Sequence, residues 1–220
     1  NNDSSIIRIH SRGYQPITVD TEVHGPLPEE QNRPSALIRG VADKMKEAGF
    51  AVGGFNAYLE SAVPPGSGLS SSACLEVLMV KIMERLFDNP EIDSVTVAKI
   101  GQYAENRYFG KPCGLMDQIA CAAGGIVRID FSDMERPHVK RLPIRMDDFG
   151  LDIVIVQTGG SHEHLTEEYA AVEREMKEVA DLLSRSEEKG TDRHGPSVKA
   201  ESTGQKPDLS SKTQSHRLRK

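Results

Sequence analysis

Hydrophobic and polar positions follow two alternating periods along this chain. Over 5–11 (SIIRIHS) and 16–20 (PITVD) the pattern predicts two short strands, joined by a turn at Gly13. From 35 to 49 (SALIRGVADKMKEAG) the period lengthens: Leu37, Ile38, Val41 and Met45 share one helical face. Ser35 can cap that helix and Gly49 can end it. Residues 53–63 (GGFNAYLESAV) return to alternation and point Phe55, Ala57 and Leu59 inward, as a strand does. A glycine- and serine-rich stretch follows, and then a helix to about Phe87 with Leu75, Leu78, Met79, Ile82 and Leu86 as its stripe. The DNP triplet at 88–90 breaks it. The remaining pattern predicts a helix over 94–108 and a strand over 124–131 (GGIVRIDF). A connector over 137–150 has room for one more strand. Beyond it come a buried strand over 151–158 (LDIVIVQT) and a helix over 165–183. No internal repeat is visible.

Composition narrows the possibilities. A chain of 220 residues can bury one good core, or one domain and part of another. No run of 18 apolar residues encodes a transmembrane helix, and the start, NNDSSIIRIHSRGYQP, has no signal-peptide pattern. It does not begin with Met, so a fragment of a longer polypeptide is expected. Cys74, Cys113 and Cys121 form neither a CxxC pair nor a metal spacing, and an odd count speaks against a disulfide framework. A reducing cytosol is the natural compartment.

Charge is uneven. Of 27 basic and 33 acidic residues, 9 and 5 fall in 184–220, so that segment carries +4 and the rest −10 of the overall −6. An acidic body disfavours nucleic acid as a partner. The segment 184–220 has no aromatic residue and four aliphatic ones, too little apolar surface to offset the entropy of ordering, so a disordered tail is expected.

Two stretches carry chemistry. The first, SAVPPGSGLSSSACLEVLMV (61–80), sets a strand, a loop of glycines and serines, and a helix in series. Backbone N–H groups and the helix dipole at such a junction attract anions, glycines let a phosphate approach bare backbone, and a serine hydroxyl can ligate magnesium. It lacks the lysine of a Walker A loop, the third glycine of a dinucleotide fingerprint and the second glycine of a hydrolase elbow. A serine-capped helix after a Pro-Gly turn is the bland alternative. The second stretch, AENRYFGKPCGLMDQIACAAGGIVRIDF (104–131), places Asp117 amid small and apolar residues. It is either a helix N-terminal charge or a buried carboxylate held for chemistry.

Together these stretches resemble the galactokinase family within the GHMP kinases. Pro64, Gly68, Leu69, Ser71, Ser72 and Ala73 fit the superfamily's phosphate loop, P-x-x-x-G-L-x-S-S-A. The run Cys113-Gly114-Leu115-Met116-Asp117-Gln118 is similar to the C-G-x-M-D-Q motif of galactokinases, and HEHLTEEYAAVEREMKEVA (162–180) to the family's helix with E-Y near its start. The resemblance implies an α+β fold. Residues 1–146 would be an ATP-binding domain like domain 2 of ribosomal protein S5, incomplete at its start. Residues 147–183 would begin a ferredoxin-like domain, and 184–220 would be a disordered tail outside the family.

The resemblance also implies roles. Gly66, Ser67, Gly68, Leu69, Ser70, Ser71 and Ser72 would wrap the ATP phosphates. Ser72 and Glu105 would ligate Mg²⁺, Asp117 would be the base toward the sugar's C1 hydroxyl, and Gly114 and Tyr169 would line the sugar site with it. The implied partners are ATP and a hexose, galactose first; no nucleic acid, membrane or obligate protein partner is indicated. Two departures stand out: nothing matches the family's G-R-x-N-L-I-G-E-H-x-D-Y motif, and the later glycine-rich loop is missing. The chain is therefore expected to be an N- and C-terminally truncated piece, inactive by itself. The alternatives are a non-catalytic remnant or sugar-binding regulator resembling the family, or a related kinase for another sugar such as N-acetylgalactosamine.

Overall fold

The computed structural model describes residues 2, 4–63, 68–156 and 166–190. The chain divides into two units, residues 1–174 and 175–220. In the first, strands β1 (Ile6–Ser11) and β2 (Ile17–Asp20) form the expected hairpin, antiparallel with Ile6 opposite Asp20 and Ile9 opposite Ile17. Gly13, at φ 84°, takes the left-handed turn position that glycine adopts without a Cβ penalty. Helix α1 (Pro34–Glu47) follows, and strand β3 (Asn56–Leu59) then pairs parallel with β1, making a three-stranded sheet of order β2-β1-β3. The alternation in β3 is as the sequence predicts: Phe55 beside it is buried and Tyr58 is 68% exposed.

Helices α2 (Ser71–Leu86) and α3 (Ser94–Ala104) complete the main core with α1. Ile7, Ile9 and Val19 of the sheet meet Ile38, Val41 and Met45 of α1, Met79, Val80 and Met83 of α2, and Val97 and Ile100 of α3. All four residues expected on the inner face of α1 are buried. For α2 the expected stripe is rotated. Leu78 and Leu86 are 39% and 41% exposed, while Glu76 and Glu84 are buried beside Val77, Val80 and Met83. The run LEVLMVKIM is apolar on nearly every side, so packing partners set its phase.

Past Ala104 the chain leaves the α-helical path for a π-helical turn, Glu105–Phe109, closed by Gly110 at φ 88°. Helix α4 (Met116–Ala123), which the sequence pattern does not single out, leads to β4 (Ile126–Asp130). Strand β5 (His138–Leu142) pairs antiparallel with β4, filling the room left for a strand in the connector. The expected buried strand over 151–158 is corrected: residues 151–156 are not in a strand, and Leu151, Ile153, Val154, Ile155 and Val156 are 58–78% exposed. An apolar run becomes a buried strand only where neighbours pair its backbone and cover both faces, and among the described residues none does. Residues 157 and 158 lie outside the described residues.

Helix α5 (Thr166–Gly190) continues past 183, through residues expected to begin the disordered tail. Glu187, Glu188 and Lys189 are good helix formers, and extending an existing helix is far easier than starting one. The tail from 191 onward lies outside the described residues. No helix among those described is long and apolar enough to cross a membrane.

Candidate functional site

The start of α2 is where the predicted residues meet. Ser70 precedes the helix in the left-handed region, at φ 54° and ψ 48°. A serine that caps a helix takes an extended backbone and turns its oxygen to the first-turn N–H groups. Ser70 makes no such bond, so the capped-turn alternative fails at this residue. Its hydroxyl donates instead to Asp117 Oδ2 at 2.6 Å. Asp117 stands exposed in the first turn of α4, which answers its two readings: it is a helix N-terminal carboxylate, open to solvent rather than buried.

One step into α2, Ser72 Oγ donates to Glu105 Oε1 at 2.9 Å, joining positions 33 apart in sequence. Glu105 is buried at the junction between α3 and the π-turn. Its carbonyl oxygen accepts from the N–H groups of Gly110 and Lys111, which closes the turn beneath it. Lys111 Nζ lies 3.7 Å from Glu105 Oε1. A hydroxyl beside a carboxylate oxygen is a hard-oxygen pair suited to Mg²⁺, which keeps water and substrate phosphates as its other ligands. Ser72 and Glu105 fit that ion.

Behind Glu105 is a network that the sequence patterns do not reveal. Gln118 donates through Nε2 to Glu105 Oε2 at 2.9 Å and to Glu76 Oε2 at 3.1 Å. Glu76 is fully buried; burial first, and the nearby Glu105 carboxylate second, push its carboxyl up to about 9. Its one sequence signal is an acidic residue inside the apolar run of α2; for Gln118 it is only adjacency to Asp117. The loop between the π-turn and α4 is clamped as well. Cys113 N–H donates to Asn106 Oδ1 at 2.7 Å, and Gln102 Nε2 donates to the Cys113 carbonyl at 3.1 Å. Burial, then the Glu105 carboxylate, push the Cys113 thiol well above its usual range. All three cysteines are free thiols.

The remaining predicted residues are placed as follows. Gly68 and Leu69 are exposed just before Ser70, and Ser71 opens α2, exposed. Gly114 is exposed on the clamped loop, with open space where a side chain would project. Pro64, Gly66 and Ser67 lie outside the described residues. Tyr169 belongs to the backbone of α5, and its side chain is outside the description.

The chain that carries this arrangement of a glycine-serine loop, a helix and two carboxylates is similar to known proteins. Residues 36–125 match the family of GHMP kinases N terminal domains. Galactokinases are among the relatives the chain resembles in sequence. That of Streptomyces coelicolor is 33% identical over 184 residues, 82% of this chain and 46% of the relative. That of Limosilactobacillus reuteri is 32% identical over 170 residues, 77% of this chain and 43% of the relative. The chain thus spans about half the length of the curated relatives it matches. Lactococcus lactis galactokinase, solved in complex with galactose, superposes with a TM-score of 0.53 at 24% identity, covering 66% of this chain and 38% of that one. A D-glycero-D-manno-heptose 1-phosphate kinase from Bacteroides thetaiotaomicron gives 0.53 at 20% identity, covering 66% and 46%. At these identities the likeness defines the fold alone: a mixed α and β structure resembling those sugar kinases.

Proposed function

We propose that this chain carries the phosphate-binding and base-bearing part of a galactokinase-like sugar kinase, one that phosphorylates the C1 hydroxyl of galactose with ATP. The observation that carries the reading is the double convergence at the mouth of α2. Ser72 meets Glu105 and Ser70 meets Asp117, although 33 and 47 positions separate the partners. A loop built only as a turn has no need of either carboxylate.

In this reading, residues 66–72 wrap the ATP phosphates at the helix N-terminus. Ser72 and Glu105 hold Mg²⁺, which supplies charge neutralisation on the phosphates when bound. Asp117 accepts the proton of the sugar's C1 hydroxyl. As that oxygen bonds to the γ-phosphorus, the bond to the β–γ bridging oxygen breaks and ADP leaves. Gly114 and Tyr169 are assigned to the sugar site. The finer architecture belongs to the same proposal: residues 1–146 as a domain like domain 2 of ribosomal protein S5, 147–183 as the start of a ferredoxin-like one, and the cytosol as the compartment.

The test is ADP binding to the 220-residue chain with and without Mg²⁺. The reading expects magnesium to tighten ADP binding, and both Ser72→Ala and Glu105→Ala to weaken that enhancement. Variants indistinguishable from the parent in their response to magnesium would remove the metal role, and with it the phosphate-loop reading.

A further inference from the structure

We propose that Gln118 is a positioning residue that aims Glu105 at the metal, an inference that rests on the magnesium role proposed for Glu105. A glutamate side chain has three torsions, and its two oxygens are equivalent unless something distinguishes them. Here something does. Gln118, 1% exposed, reaches two carboxyl groups from one amide nitrogen, Glu105 Oε2 at 2.9 Å and Glu76 Oε2 at 3.1 Å, with Cys113 Sγ a longer third acceptor at 3.6 Å. Tethering Oε2 of Glu105 leaves Oε1 to face Ser72 Oγ at 2.9 Å. The amide thus decides which oxygen looks toward the phosphate loop and which looks into the core.

Two further observations set this network apart from ordinary packing. Gln118 Oε1 and Glu76 Oε1 are both buried without a hydrogen-bond partner. Leaving such atoms unsatisfied costs free energy, so the network is not arranged for hydrogen-bond satisfaction alone. In addition, α3 passes the network with bare backbone. A Cβ at Gly101 would stand 2.8 Å from Glu76 Oε2 and 3.2 Å from Gln118 Cγ. Three elements, α2, α3 and α4, therefore accommodate one amide. Ligand-orienting partners of this kind typically govern metal affinity about 10–100-fold when removed.

The test uses the 220-residue chain as wild type, Glu105→Ala, Gln118→Met and Gln118→Asn. Met keeps the length and loses the amide; Asn keeps the amide and cannot reach. A fluorescent ADP analogue is titrated into each with Mg²⁺ and again with EDTA. The readout is the ratio of the two affinities within each variant, which cancels any loss of folded protein and which a purely structural role would leave unchanged. The expected result is an enhancement lost in Glu105→Ala and reduced about tenfold or more in both Gln118 variants. Should either folded Gln118 variant keep the wild-type enhancement while Glu105→Ala loses it, the positioning role is wrong and the magnesium reading stands. Should Glu105→Ala itself keep the enhancement, or wild type show none, the magnesium reading falls and takes the positioning role with it.

Discussion

Ser70 donates its hydroxyl hydrogen to Asp117 Oδ2 at 2.6 Å, across 47 positions of sequence and from a backbone held in the left-handed region. Non-glycine residues rarely adopt that conformation, which costs on the order of 1–3 kcal/mol where it occurs. The strained turn brings the end of the glycine-serine loop onto the carboxylate proposed as the base. In any longer polypeptide that carries this domain and turns over, Asp117→Asn is expected to abolish sugar phosphorylation while nucleotide binding survives. General base catalysis is worth about 10²–10⁴, so a variant keeping more than about a tenth of the parent kcat would refute the assignment.

The same turn makes a stability prediction. Ser70→Gly and Ser70→Ala remove the same hydroxyl, but only glycine relieves the positive φ. Ser70→Gly is expected to be the more stable of the two by about 1 kcal/mol, measured by urea denaturation. Equal midpoints would mean that the left-handed backbone stores no strain.

Gly40 on α1 sits against the junction that presents Glu105. A Cβ there would meet Ala104 Cβ at 2.7 Å, Ala104 Cα at 2.8 Å and Tyr108 Cγ at 2.9 Å. Two of those atoms belong to or adjoin backbone that cannot swing aside, so α1 and α3 would have to separate. Gly40→Ala is expected to destabilise the chain by about 1–3 kcal/mol, read as a fall in Tm. An unchanged Tm would show that the helices yield without cost.

Asp93 caps α3, accepting from the N–H groups of Val95 and Thr96, both at 3.0 Å, and from the Thr96 hydroxyl at 2.6 Å. Burial pushes its carboxyl up, but the Thr96 hydroxyl and the two N–H groups outweigh this and hold it below its usual value of 3.8. A depressed carboxylate contributes stability above its unfolded pKa and loses it as pH falls through the folded one. Asp93→Ala is expected to cost about 1 kcal/mol near neutral pH, with the gap from wild type narrowing below about pH 3.8. A gap that widens in acid would contradict the cap.

Local pattern by itself determined what depends on neighbours in sequence. The hairpin at Gly13, the inner face of α1, the alternation around β3 and the position of the loop ahead of α2 were all legible, because pleat and helical turn are set by residues a few positions apart. Tertiary structure decided the rest. It chose the phase of α2, burying Glu76 and Glu84 and leaving Leu78 and Leu86 outside, because the run LEVLMVKIM within that helix is apolar on nearly every side and takes its face from its partners. It turned α3 into a π-turn at Glu105, and it left 151–156 exposed where the pattern alone promised a buried strand. The motif resemblance named Ser72, Glu105 and Asp117 as site residues. Their meeting at the mouth of α2, and the amide of Gln118 that ties Glu105 down, arise from side chains 13 to 47 positions apart, a distance over which periodicity carries no information.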